Sequence, residues 1–208
     1  RGAWTEGLSG IYPMLERPGG SILRPFLGVR RAQIEAWLSR IGQPWREDAT
    51  NADIAYTRNR LRRDVLPALA ACNPQIYGHL ANLATLAREE HAYWQEELMR
   101  ILPHLLLPGR PVRGGGRAVS TALEESAIAI EIERLPPLPA VRRRILRAAA
   151  RRLGVGLNFE QTERLLAMCG PAGSRRQTLT ATLRAERSPR ELRLLKKVAG
   201  PQAPEGVE

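Results

Sequence analysis

A periodic run over residues 75–102 constrains this chain more than any other feature. Leu80, Leu83, Leu86 and Ala87 lead on to Tyr93, Trp94, Leu98, Ile101 and Leu102 at helical spacing. Asn73-Pro74 punctuates the chain before the run. Pro103 disfavours helical backbone at Leu102, so the spacing predicts the longest helix here, ending near 102. Tyr93 and Trp94 read as core residues of that helix rather than base-stacking platforms. The run also divides the charge. Residues 1–72 are net +4, residues 73–133 net −3 and residues 134–208 net +10.

Before the run, residues 1–22 are rich in Gly and Pro and read as loop. Leu23 to Leu27 read as a short strand or turn. From Arg30, Ile34, Trp37, Leu38 and Ile41 form one apolar helical face, which Gly42 caps and Pro44 ends. Residues 45–55 are turn and cap formers. A second helix starts near Tyr56, with Leu61, Val65 and Leu69 on one face and Pro67 set to kink it. After the run, residues 108–117 read as a linker, and Ile128, Ile130 and Ile132 alternate as a strand. A basic helix follows to about Leu153, ended by Gly154 and Gly156. Asn158 caps a further helix, Phe159 to Met168. Residues 177–185 and 191–197 read as two strands around Ser188-Pro189-Arg190, and residues 201–208 as a disordered tail. The fold class is therefore α+β and mostly helical, with a β-hairpin near the end.

The chain carries a net charge of +11, and 30 of its 32 cationic residues are arginine. Guanidinium groups pair with phosphate bidentately and stack on bases, so the balance suits a nucleic-acid partner. A GC-rich genome would also write Arg for Lys, but it leaves the net charge unexplained. Cys72 and Cys169 make no disulfide framework, which fits a reducing cytoplasm. No Cys/His spacing suggests a metal, and His79, His91 and His104 are scattered. There is no 18-residue apolar run for a membrane span. The sequence begins at Arg1, without Met or a signal peptide, as expected of a chain that starts inside a larger reading frame.

Two constellations carry chemistry. In the first, Asp48, Asn51 and Asp53 shape a turn ahead of Arg58, Asn59 and Arg62, which helical spacing sets to one side, opposed to Leu61 and Val65. Free N–H groups and the dipole of the first turns also favour an anion. The same pattern describes a solvated Arg-rich face with aspartate caps. In the second, Arg142, Arg143, Arg144, Arg147, Arg151 and Arg152 share one helix with Ile145, Leu146, Ala149 and Leu153 as its buried stripe. Most of these arginines should face outward, and with no acid between them they call for RNA or DNA phosphate. Arg1-Gly2 to Gly10 is a glycine-bearing loop of low specificity. No G-x-x-x-x-G-K-[ST] or S-G-G-x-D-S loop occurs.

Several stretches together match the motifs of one family. Arg1-Gly2-Ala3-Trp4-Thr5-Glu6-Gly7-Leu8-Ser9-Gly10-Ile11 resembles R-G-[ST]-G-x-x-G-L-x-G-[IM]. Leu23-Arg24-Pro25-Phe26-Leu27 resembles the family's R-P-L-L segment. Trp45 to Asn51 resembles W-x-E-D-x-[ST]-N, and Tyr56 to Arg62 resembles [YF]-x-R-N-x-[IL]-R, in the family's order and spacing. Together these stretches resemble the tRNA(Ile)-lysidine synthetases of the PP-loop ATP-pyrophosphatase superfamily, and over residues 75–197 the likeness is architectural. The resemblance implies a catalytic-domain remainder over 1–73 and a tRNA-binding domain over 74–200. It implies ATP with Mg2+ as cosubstrate, free L-lysine, tRNA(Ile) with a CAU anticodon, no membrane partner and, as an open expectation, a homodimer. Such enzymes adenylate C2 of the wobble cytidine and let the lysine ε-amine displace AMP, which changes codon reading from AUG to AUA.

The same resemblance sets Arg58 beside the reaction centre, supporting lysine or the adenylate. Asn59, Arg62, Asp48, Asn51, Arg1 and Gly2 are its substrate-binding neighbours, and the six arginines of the 142–152 helix face tRNA. Ala3 and Trp4 depart from the family's Ser/Thr and Gly. The family's S-G-G-x-D-S loop and its H-x-x-D-D-x-x-E-T segment both precede the first matched residue, so the chain reads as a fragment unable to adenylate alone. A non-catalytic RNA-binding module and a helical DNA-binding regulator stay open beside it.

Overall fold

A computed structural model describes residues 4–46, 49–53, 55–108, 110–111, 120–122 and 126–197. The chain divides into two compact units, one of residues 5–91 and one of residues 1–4 with 92–208. Together they are α+β and mostly helical.

The unit of residues 5–91 opens with a 3-10 turn, Thr5–Ser9. Strands β1 (Met14–Arg17) and β2 (Gly20–Leu23) then form an antiparallel hairpin inside the stretch expected to be loop. Its connection is Pro18-Gly19, with Gly19 at φ +90°. Proline presets the first turn position and glycine alone accepts positive φ cheaply at the second, a signal present in the sequence. Arg24 fastens the hairpin, its guanidinium donating to Tyr12 O and its N–H to Pro13 O. Helix α1 spans Arg31–Arg40, and Gly42 closes it at φ +70°.

Helix α2 (Thr57–Arg60) starts where the sequence places it, but widens into a π turn at Leu61–Val65 before α3 (Leu66–Cys72). Pro67 offers no N–H to the preceding turn, and the hydrogen-bond ladder ahead of it is remade as a π turn. Among the described residues of this unit only Ser9, Asn59 and Ala87 are buried. Phe26, Trp37, Ile41, Tyr56 and Leu69 are all exposed.

Helix α4 runs Ile76–Leu105, contributing its first part to one unit and its end to the other. It passes through Pro103 instead of stopping at 102. Leu102 and Leu105 are buried in a core, and that burial outweighs one missing hydrogen bond in the last turn. Tyr93, expected in the core, is exposed and meets Trp94 edge-on.

The unit ending the chain is built on strands β3 (Leu106–Pro108), β4 (Arg110–Pro111), β5 (Ser120–Ala122), β6 (Ala127–Glu131), β7 (Arg176–Thr178), β8 (Leu183–Arg187) and β9 (Glu191–Lys196). β4 and β5 pair with each other. The rest form an antiparallel five-stranded sheet in the order β3-β6-β9-β8-β7. The hairpin expected near the end is thus part of a larger sheet. The strand expected over 177–185 is interrupted at Leu179–Thr182, where Leu179 and Thr180 both donate to Leu183 O.

One face of the sheet carries Ile130, Leu183, Ala185, Leu192 and Leu194 against helices α5 (Pro139–Arg152) and α6 (Phe159–Met168). The helices supply Ile145, Leu146, Ala149, Leu165 and Met168 to the same core. α6 begins in a capping box, Asn158 Oδ1 accepting from Gln161 N and Gln161 Oε1 from Asn158 N. The expected linker 108–117 and tail 201–208 fall almost wholly outside the described residues.

Candidate functional site

The turn before α2 is organised by Asn59. This side chain is only 2% exposed and donates through Nδ2 to Thr50 O at 3.0 Å and Asp53 O at 2.8 Å. Asp53 in turn accepts from Ala55 N at 2.8 Å, an Asx turn of the kind its residue type favours. Asn59 is therefore turned inward as a clip on the 50–53 segment. It does not share the open side with Arg58 and Arg62, which are exposed and make no hydrogen bond or ion pair to a described residue. Asn51 sits half-buried in the clipped 3-10 turn Ala49–Ala52. The result is a fixed turn presenting two guanidinium groups to solvent, suited to hold a carboxylate or phosphate by charge-assisted bonds. Arg1, Gly2 and Asp48, the other expected substrate neighbours, lie outside the described residues.

The glycine-bearing segment after Trp4 is anchored by a residue the sequence did not single out. Arg88 of α4 donates to Ser9 O at 2.8 Å and to Thr85 Oγ1 at 2.9 Å. Gly10, at φ +63°, follows directly, and a Cβ there would stand 3.6 Å from Ala84 Cβ. The arginine thus holds the main chain of this segment against the helix.

The arginines of α5 depart from expectation. Most are expected to face outward, yet at least four of the six are engaged within their own unit. Arg142 donates to Pro136 O at 2.6 Å. Arg143 forks onto Glu163 at 2.6 and 3.1 Å. That hydrogen bond holds the Glu163 carboxyl below its ordinary range and raises the guanidinium. Arg144 lies 4.5 Å from the Trp94 ring centre, and Arg147, 6% exposed, lies 3.9 Å from that of Trp4. Helix α5 is covered on several sides, and aromatic faces and carbonyls accept what acids do not. Only Arg151 and Arg152, in the last turn, are exposed.

Trp4 is the second signal missed. It donates from Nε1 to Leu157 O at 3.2 Å and tilts against Phe159 at 5.6 Å between ring centres. A tryptophan where the resemblance has glycine marks a half-buried anchor rather than a loop residue.

Comparison with known proteins gives a consistent result. A PP-loop domain family model matches residues 1–69. The tRNA(Ile)-lysidine synthase of Solibacter usitatus is 36% identical over 199 residues, covering 93% of this chain and 41% of that protein. That of Thermosynechococcus vestitus is 32% identical over 171 residues, 81% of this chain and 45% of the relative. That of Deinococcus radiodurans is 39% identical over 119 residues, 57% of this chain and 20% of the relative. The chain spans less than half the length of these curated relatives.

Proposed function

The chain is a homologue of the tRNA(Ile)-lysidine synthases with a PP-loop domain segment at residues 1–69, and on that premise we propose that it serves ATP-dependent joining of lysine to C2 of the wobble cytidine in tRNA(Ile) with a CAU anticodon. In this reading residues 1–73 belong to the catalytic domain and residues 74–200 to a tRNA-binding domain. The supporting observation is the turn clipped by Asn59, which leaves Arg58 and Arg62 outward beside it. Both substrates of the second step are anionic where they must be held: lysine at its carboxylate and the activated tRNA at its phosphates. A guanidinium fork on a fixed turn orients either without reorganisation.

The described residues contain no glycine-rich phosphate loop, so they do not fit ATP by themselves. The adenylating segment is, in this proposal, a further one that covers the exposed apolar side chains of residues 5–91, among them Phe26 at 68% and Trp37 at 51% exposure. Incubating the polypeptide that carries these residues natively with tRNA, ATP and labelled lysine should give lysidine. Arg58→Ala should abolish most of the product while leaving the thermal melt unchanged. Undiminished lysidine in that variant would remove the role given to Arg58.

A further inference from the structure

The last unit carries a groove that the sequence did not mark. It lies at the end of the β8–β9 hairpin, has a volume of about 360 Å3, and is lined by Ser126, Thr180, Thr182, Arg184, Lys196 and Lys197 among others. We propose that it grips the phosphodiester backbone of tRNA; this deepens the tRNA reading above and rests on it.

The lining is chemically one-sided. Among the described residues it offers three cations and several hydroxyls and no carboxylate. Glu124 and Glu125, next to Ser126 in sequence, lie outside the described residues. Lys196 and Lys197 are the only lysines among 32 cationic residues, and both stand here. A compact ammonium is a point charge that meets phosphate from any direction, whereas a guanidinium needs a matched fork.

The frame is rigid. Lys196 N donates to Ser126 O at 2.7 Å and Lys197 N to Thr182 O at 2.8 Å. Thr180 Oγ1 accepts from Leu183 N at 2.9 Å and from Thr182 N at 3.2 Å, so the turn is braced by its own hydroxyl. Lys196 is also placed from behind. A Cβ on Gly154, which follows α5 at φ +73°, would stand 3.4 Å from Lys196 Nζ. The carbonyl end of α5 favours a cation at that spot. Arg184 reaches Glu186 at only 3.9 Å from a side chain 65% exposed, and Glu186 does not line the groove. The groove thus adds a second set of cations to the exposed Arg151 and Arg152, which stand in the last turn of α5 just before Gly154.

Ammonium and hydroxyl donors on a fixed frame contact phosphate and position a nucleic acid without reading bases. The test is a binding titration of the 208-residue chain with labelled tRNA of CAU anticodon and with a second, unrelated tRNA, from 50 to 200 mM salt. Lys196→Ala with Lys197→Ala should weaken both tRNAs alike, about tenfold or more at the lower salt. It should also lower the slope of log affinity against log salt by about two. Arg184→Ala, on the neighbouring strand, should lower the slope by about one by itself.

Wild-type binding that these variants leave unchanged in affinity and slope would overturn the groove and spare the tRNA reading. No tRNA binding by the wild type would overturn that reading and the groove with it. Duplex DNA competing as well as tRNA would overturn the assignment to RNA.

Discussion

The guanidinium of Arg147 lies 3.9 Å from the centre of the Trp4 ring, and Trp4 Nε1 donates to Leu157 O at 3.2 Å. Residues 143 positions apart thus share one nearly dry contact, which gives Arg147 a packing role within its unit. Arg147→Ala should destabilise the unit by about 1–3 kcal/mol, since a desolvated cation–π pair and the stem packing of a buried arginine are lost together. The pair should couple by about 1–2 kcal/mol in a double-mutant cycle with Trp4→Ala, read from urea melts. Additive effects of the two changes would show that the stack contributes nothing.

Asn59 gives a contrasting case in the other unit. Asn59→Ala removes both donors from Thr50 O and Asp53 O, and should cost about 1–3 kcal/mol of local stability. Hydrogen exchange at residues 50–55 should speed up while exchange in β8 and β9 stays unchanged. Arg58→Ala should do neither, because Arg58 is exposed and holds no described residue. The two neighbours thereby separate folding from chemistry.

The Arg143–Glu163 fork makes a statement about acid. Hydrogen bonding from Arg143 keeps the Glu163 carboxyl below its ordinary pKa. A depressed folded value means the stabilisation is present above the unfolded pKa and fades as pH falls through the folded one. Urea melts taken from pH 6 down to pH 3 should lose stability less steeply in Glu163→Gln than in the wild type. Identical slopes would show the fork to be without effect on folding.

The two cysteines should differ in reactivity. Cys169 is buried, its Sγ 3.5 Å from Leu165 O, and burial pushes its thiol up to about 11. Cys72 is exposed. A maleimide at pH 7.5 should label Cys72 and spare Cys169 until the protein unfolds. The raised folded value predicts stability that is full below about pH 9 and falls as pH rises from 9 towards 11, by at most about 3 kcal/mol. Labelling of both thiols at equal rates in the native protein would contradict this burial.

What the sequence disclosed was largely local. Asn158 with Gln161, Gly42 and Gly154 are each legible because one residue type satisfies one backbone need. Pro18-Gly19 is an equally local signal, but the glycines around it make the whole stretch read as loop and mask the hairpin. Pro103 misled, because burial of Leu102 and Leu105 decides helix length there and is not a local property. The α5 arginines misled for a related reason. Their charge is plain in the sequence, but Trp4, Trp94, Glu163 and the carbonyl of Pro136 come from distant positions. The groove at Lys196 and Lys197 was illegible because β6, β8 and the end of α5 meet only in the folded sheet. At the candidate site the residue types of Arg58, Asn59 and Arg62 were readable, and the inward turn of Asn59 was not.

The most direct test is nucleoside mass spectrometry of tRNA from source cells depleted of the polypeptide that carries these residues. The account predicts that lysidine in tRNA(Ile) falls as the polypeptide is depleted and that unmodified cytidine appears in its place. Lysidine unchanged after depletion would contradict the central claim.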